Sequence, residues 1–145
     1  MAKTIALIAS LDTKKKETLY AASVIQKQGF STYIIDISTK NLVDGADITP
    51  VEILKRYGIE WEDFDPLGKA ASIDVMSKAA AFVLPQLYAE GKFDVVISIG
   101  GGQNAKMAAM AMKTLPFAVP KIVASSLACG SRTMEQYVGD KDIFV

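Results

Sequence analysis

An open parallel α/β sheet of the three-layer Rossmann or flavodoxin-like kind, with about five strands and helices on both faces, is the fold class this sequence predicts. Three observations lead to it. Short apolar runs rich in β-branched residues recur at 3–9, 32–37, 95–99, 121–124 and 143–145, and stretches with helical apolar periodicity separate most of them. Half of the residues are hydrophobic, yet no uninterrupted apolar run approaches the roughly 20 residues of a membrane helix, so the excess suits strands buried on both faces. Finally, Phe93 to Lys113, FDVVISIGGGQNAKMAAMAMK, reads as strand, glycine turn and helix in immediate succession.

Lys3 to Ala9, KTIALIA, is the first strand. Ser10 to Lys14 follow as a loop at its carboxyl end. A helix from about Lys15 to Gln28 then turns Leu19, Ala22, Val24 and Ile25 inward and closes at Gly29. Thr32 to Ile37 is a second strand, completing a right-handed βαβ unit, and Ser38 and Thr39 leave it at the same sheet edge. Turn formers occupy 40–48, after which Thr49 and Pro50 open a short helix to about Tyr57. Trp61 to Gly68, WEDFDPLG, reads as a polar and aromatic connector, with a lid over the site as the alternative. Ile73, Met76, Ala80, Val83, Leu84 and Leu87 recur at helical spacing between about Ala70 and Glu90, where Pro85 is expected to kink or break the helix. Val95 to Ile99 is the third strand, expected at the centre of the sheet because it is apolar on both faces apart from Ser98. The helix after the glycines runs to Lys113, with Met107, Met110 and Met112 as core residues. Lys121 to Ala124 is the fourth strand, delivering Ser125, Ser126 and the loop 127–131 to the same edge, and Ile143 to Val145 begins a fifth.

Composition narrows the function. Sixteen basic and sixteen acidic residues cancel, so neither nucleic acid nor an anionic membrane is an expected partner. With no histidine and a single cysteine, Cys129, the chain has no disulfide framework, no Cys/His zinc site and no imidazole base; any catalysis would rest on carboxylates, lysines or hydroxyls. Cys129 itself reads as a buried or loop thiol. The start of the chain lacks the pattern of a secretory signal, which points to a cytoplasmic protein. Residues 1–145 read as a single α/β nucleotide-binding-like domain, the N-terminal part of a longer two-domain protein. The apolar excess suggests a face for the missing C-terminal domain or for a homo-oligomer, a homodimer in the simplest case.

Open α/β sheets bind ligands outside the carboxyl ends of their strands. There, Gly100, Gly101 and Gly102 permit close approach, and the helix they start offers free N–H groups and a positive dipole end to a phosphate or carboxylate. Gln103 and Asn104 continue that turn. Ser10, Asp12, Thr13, Lys14 and Ser38 are expected at the same edge, together with Ser125, Ser126 and Gly130. The glycine spacing is neither the dinucleotide pattern nor a phosphate loop. A purely structural βα turn, and simple helix capping by Asp12 or Thr13, are the competing explanations.

Six stretches, IASLDTK (8–14), IIDIS (34–38), GKAASIDVMSKAA (68–80), ISIGGG (97–102), LPFAVPKIVASSLACG (115–130) and YVGDKDI (137–143), resemble in order and spacing the uncharacterised-protein family typified by the tomato mosaic virus resistance protein, whose N-terminal part is described as an ATP-binding domain. The resemblance implies an α/β nucleotide-binding fold followed in longer members by a second domain. It also implies a nucleotide site at Asp12 to Lys14, Gly100 to Gly102, Ser125, Ser126 and Gly130, taking ATP, with magnesium as a possible companion. One departure stands out: where the family continues its glycine turn with Ser-Gly-Gly-Thr, this sequence has Gly102-Gln103-Asn104-Ala105, so side-chain amides would have to replace two hydroxyls as donors. The segment 131–136 is also longer than the family's equivalent. The leading functional expectation is a binding domain for ATP or another phosphorylated ligand. Two others compete with it: the half-site of an enzyme acting on a small phosphorylated or carboxylated metabolite, and an oligomerisation module with a vestigial pocket.

Overall fold

Five strands, β1 (Thr4–Ala9), β2 (Ser31–Asp36), β3 (Val95–Gly100), β4 (Lys121–Ser125) and β5 (Ile143–Phe144), form one parallel sheet in the order β2-β1-β3-β4-β5. The computed structural model describes residues 2–126, 139 and 141–145. β3 is central, as its two-sided apolar run predicts, and its one polar residue, Ser98, is completely buried. This strand order has its switch point between β1 and β3, where neighbouring connections leave the sheet in opposite directions and a crevice opens at the carboxyl ends.

Helices cover the two faces unequally. α1 (Leu11–Lys27) lies on one side, where Leu11 and Ala22 pack with Leu7 and Ile34. On the other, α2 (Pro50–Tyr57), α3 (Trp61–Phe64), α4 (Lys69–Ala89) and α5 (Gly102–Met112) enclose the larger core, which contains Ile8, Ile35, Ile53, Phe64, Met76 and Val96. The alternation of Ala6 and Ile8 with Leu7 between these cores is the period-two consequence of a strand buried on both faces.

Four expectations change. α1 begins at Leu11, so Asp12, Thr13 and Lys14 are its first turn rather than a loop, with non-helical backbone angles at Lys14. The earlier start and this kink rotate the buried face onto Leu11, Thr18 and Ala22, and leave Leu19 and Val24 each 40% exposed. Pro85 does not break α4, which stays continuous for 21 residues. An interior proline costs about 3 kcal/mol, but buried Val83, Leu84 and Leu87 straddle it and clamp the helix to the sheet. The connector at 61–68 holds a helical turn in which Phe64 is fully buried and tilts against Trp61 at 5.2 Å between ring centroids, so it is anchored and is no lid. Met107 and Met112 are core residues, whereas Met110 is 41% exposed.

At the amino rim of the sheet, Lys121 is buried and its Nζ donates to Pro116 O (2.9 Å), Val119 O (2.9 Å) and Asp142 Oδ1 (2.7 Å). Asp142 Oδ2 accepts from Ala118 N, whose residue sits at φ 75°. Lys121 and Ile143 are register partners, so this cluster fixes β5 to the sheet.

Candidate functional site at the carboxyl edge of the sheet

Two helices start side by side at the switch point, and their N-terminal donors are treated differently. In α1, Leu11 N donates to Asp36 Oδ1 (3.1 Å) and Asp12 N to Ser38 Oγ (3.0 Å), while Thr13 N and Lys14 N reach Ser10 O. That helix start is saturated by protein groups. Gly101, the N-cap of α5, carries no side chain to cap it, and the N–H groups of Gly102 and Gln103 have no acceptor among the described residues. An external anion is the natural partner for such a helix end.

The three glycines do different work. A β-carbon at Gly100 would stand 2.8 Å from Asn104 Cβ and Nδ2, and Asn104 cannot yield. Its Nδ2 donates to Ser98 Oγ and to Ile99 O, both at 3.1 Å, and its Oδ1 accepts from Ser10 Oγ at 3.3 Å. Asn104 therefore ties the end of β1 to β3 and α5, and its amide is engaged inside the fold rather than offered as a donor to a ligand. At Gly101, by contrast, nothing lies within 4 Å of where a β-carbon would be, so a ligand can approach the backbone there.

A cavity of about 330 Å³ opens onto this turn. Ser10, Asp12, Thr13 and Lys14 line it from the start of α1, and Gly101 to Asn104 from the start of α5. Thr39 and Lys40 after β2 close a third side, and Lys69, Ile73 and Met107 form the fourth. Lys14, Lys40 and Lys69 have no acidic partner among the described residues. The one carboxylate in the lining, Asp12, accepts from Lys40 N and Asn41 N through Oδ2, both at 3.3 Å, and so folds the loop after β2 over the site. The lining is thus cationic and rich in donors.

Of the residues expected at the site, Ser10, Asp12, Thr13, Lys14, Gly101, Gly102, Gln103 and Asn104 meet in this cavity. Gly100, Ser125 and Ser126 border a neighbouring cleft on the α1 side. Ser38 reaches neither. It is buried, donates to Asp36 Oδ1 and accepts from Asp12 N, and so belongs to the support of α1. Gly130 and Cys129 lie outside the described residues.

Sequence reasoning placed Thr39 at this edge without naming it a lining residue, and missed Lys40 and Lys69 in the lining and Asp36 as the support of the α1 start. Asp36 is fully buried, with Oδ1 holding Leu11 N and both donors of Ser38, and Oδ2 without a partner among the described residues. Burial, opposed by those hydrogen bonds, raises its pKa above the ordinary carboxylate value. The only sequence signal was an acidic residue ending an apolar strand. Among the described residues no cluster of three histidine, cysteine or acidic side chains could hold a metal, and no helix is long and apolar enough to cross a membrane.

The profile of an uncharacterised protein family, described as the UPF0261 N-terminal domain, matches residues 3–145. The chain belongs to the UPF0261 family. A UPF0261 protein of Clostridium tetani is 32% identical over 146 residues, covering 99% of this chain and 35% of that protein. One from Mesorhizobium japonicum is 27% identical with the same two coverages. This chain thus spans about 35% of the length of these relatives. The tomato link is weaker than the shared stretches implied: the ToMV susceptible protein tm-1(GCR26) of Solanum lycopersicum matches 52% of the chain, at 29% identity over 75 residues. Among solved structures, the crystal structure of Acinetobacter baumannii MurG superimposes with a TM-score of 0.52 and 18% identity, covering 93% of this chain and 38% of that one, a likeness of fold alone.

Proposed function

We propose that this UPF0261 domain binds a nucleotide, ATP or ADP in the first instance, by holding its phosphates over Gly101. The observation that carries the reading is the contrast between the two helix starts. α1 is capped by its own protein, while α5 presents the N–H groups of Gly102 and Gln103 to a cavity that also receives Lys14, Lys40 and Lys69. Thr13 and Gln103 complete the set of polar groups, and Ile73 with Met107 supplies an apolar floor for a base. A triphosphate brings three or four negative charges, which the lysines and the helix end offset. Binding alone is proposed; hydrolysis is not part of the reading.

Calorimetry of the purified protein with ATP, ADP and AMP, with and without magnesium, tests this. Saturable heats below millimolar ATP and ADP are expected, with AMP weaker. Lys14→Ala or Lys69→Ala should each weaken ADP about tenfold, the typical effect of one charge-assisted hydrogen bond. Gly101→Val, which places a side chain where the ligand approaches, should abolish binding while the protein still folds. Absence of any heat or thermal shift with all three nucleotides at millimolar concentration refutes the proposal.

A further inference from the structure

We propose that the ligand is a diphosphate esterified at both ends, with a nucleoside on one phosphate and an uncharged, polyhydroxylated group on the other. It lies across Gly101 with one limb in each of two clefts. The inference rests on the phosphate-binding reading above and extends it to the substrate class.

Two cavities of similar size, about 330 Å³ and about 320 Å³, open on either side of the glycine turn. They share two residues in their walls, Lys14 and Gly101. The common wall therefore carries the Lys14 cation and, at Gly101, open backbone, which suits a charged linker passing from one side to the other. A nucleoside mono-, di- or triphosphate has a single ring-bearing substituent and fills one cleft. A diphosphate esterified at both ends has two ring-sized substituents joined through an anion, and its short linker matches a common wall of only two residues.

The chemistry of the two flanks assigns the limbs. The first cleft has the apolar floor of Ile73 and Met107 between α4 and α5, where a base can stack. The second lies beneath the ends of β3 and β4, where Ile99 and Ala124 give a small apolar surface beside Glu17, Ser125 and Ser126. An apolar patch next to a carboxylate acceptor suits a sugar-like group, which presents both C–H faces and hydroxyl donors. The Glu17 carboxylate, with no ion-pair partner among the described residues, disfavours a further anion there.

The test compares matched probes on the purified protein: ADP against ADP-ribose, and UDP against UDP-glucose, by calorimetry. At least one conjugate should bind tenfold or more tightly than its parent diphosphate. Ala124→Trp fills the second cleft from an exposed strand position, and Glu17→Ala removes its acceptor. Both variants should erase the conjugate's advantage while changing the parent diphosphate less than twofold, with circular dichroism melting confirming the fold. Conjugates binding no tighter than their diphosphates, with ADP or UDP still bound, overturn the two-limb inference and leave the phosphate reading intact. Ala124→Trp weakening ADP as much as ADP-ribose also overturns it. No binding by any of the four probes removes both.

Discussion

Asn104→Ala is the sharpest probe of how the site is built. The side chain is 6% exposed and donates two hydrogen bonds of 3.1 Å, to Ser98 Oγ and Ile99 O, besides accepting a longer one of 3.3 Å from Ser10 Oγ. Each of the two shorter bonds is worth about 1 kcal/mol net, and truncation also leaves the fully buried Ser98 hydroxyl without its partner, adding about 1 kcal/mol. The expected loss is therefore about 3 kcal/mol, or about 10 °C in melting temperature for a domain of this size. The control is Gln103→Ala, one residue away but exposed, for which a change within about 0.5 kcal/mol is expected. Thermal and urea unfolding followed by circular dichroism give both values. If Asn104→Ala melts within 3 °C of the parent, or if Gln103→Ala matches its loss, Asn104 is not the tie between β1, β3 and α5.

Phe64→Ala separates an anchor from a lid: truncating this fully buried ring should cost about 3–5 kcal/mol, or roughly 9–15 °C in melting, whereas a lid residue would alter ligand affinity and leave the melt in place. Asp36→Asn tests the buried carboxylate. Because burial raises the folded-state pKa of Asp36 above its unfolded value, its contribution is fully present below the unfolded pKa and is lost as pH rises through the folded one. The parent should therefore lose stability relative to Asp36→Asn between pH 4 and neutrality, in paired urea titrations across that range; a difference flat with pH contradicts the raised pKa.

The scaffold was largely legible because its signals are local. The apolar runs at 3–9, 95–99 and 121–124 name their strands to within a residue, and Thr49-Pro50 marks the start of α2, where the structure adds a capping box, Glu52 N donating to Thr49 Oγ1 at 3.2 Å. The misreadings arose where distant packing overrides a local rule. Pro85 is tolerated because the buried residues around it outweigh one lost hydrogen bond. The face of α1 was misphased because its first turn is set by Asp36 and Ser38, more than 20 residues away in sequence. At the site, the glycine turn and Asp12 to Lys14 could be read from backbone chemistry. Lys40 and Lys69 could not, since a lone lysine in a loop or at a helix start has no motif, and only the sheet order brings them together. Sequence alone makes Asn104 a donor to the ligand because nothing in it says that Ser98 and Ser10 stand close enough to occupy its amide.

The buried ammonium of Lys121 bears on how the outermost strand comes away. A two-residue strand contributes too few ladder bonds to secure an edge by itself, so β5 behaves as a charge latch rather than a zipper. Lys121, through its hydrogen bond, holds the Asp142 carboxyl below the usual range, so the latch is engaged above that group's unfolded pKa and lets go as pH falls through the depressed folded value. Acid should thus free β5 at one rim of the sheet, at the end farthest from the glycine turn.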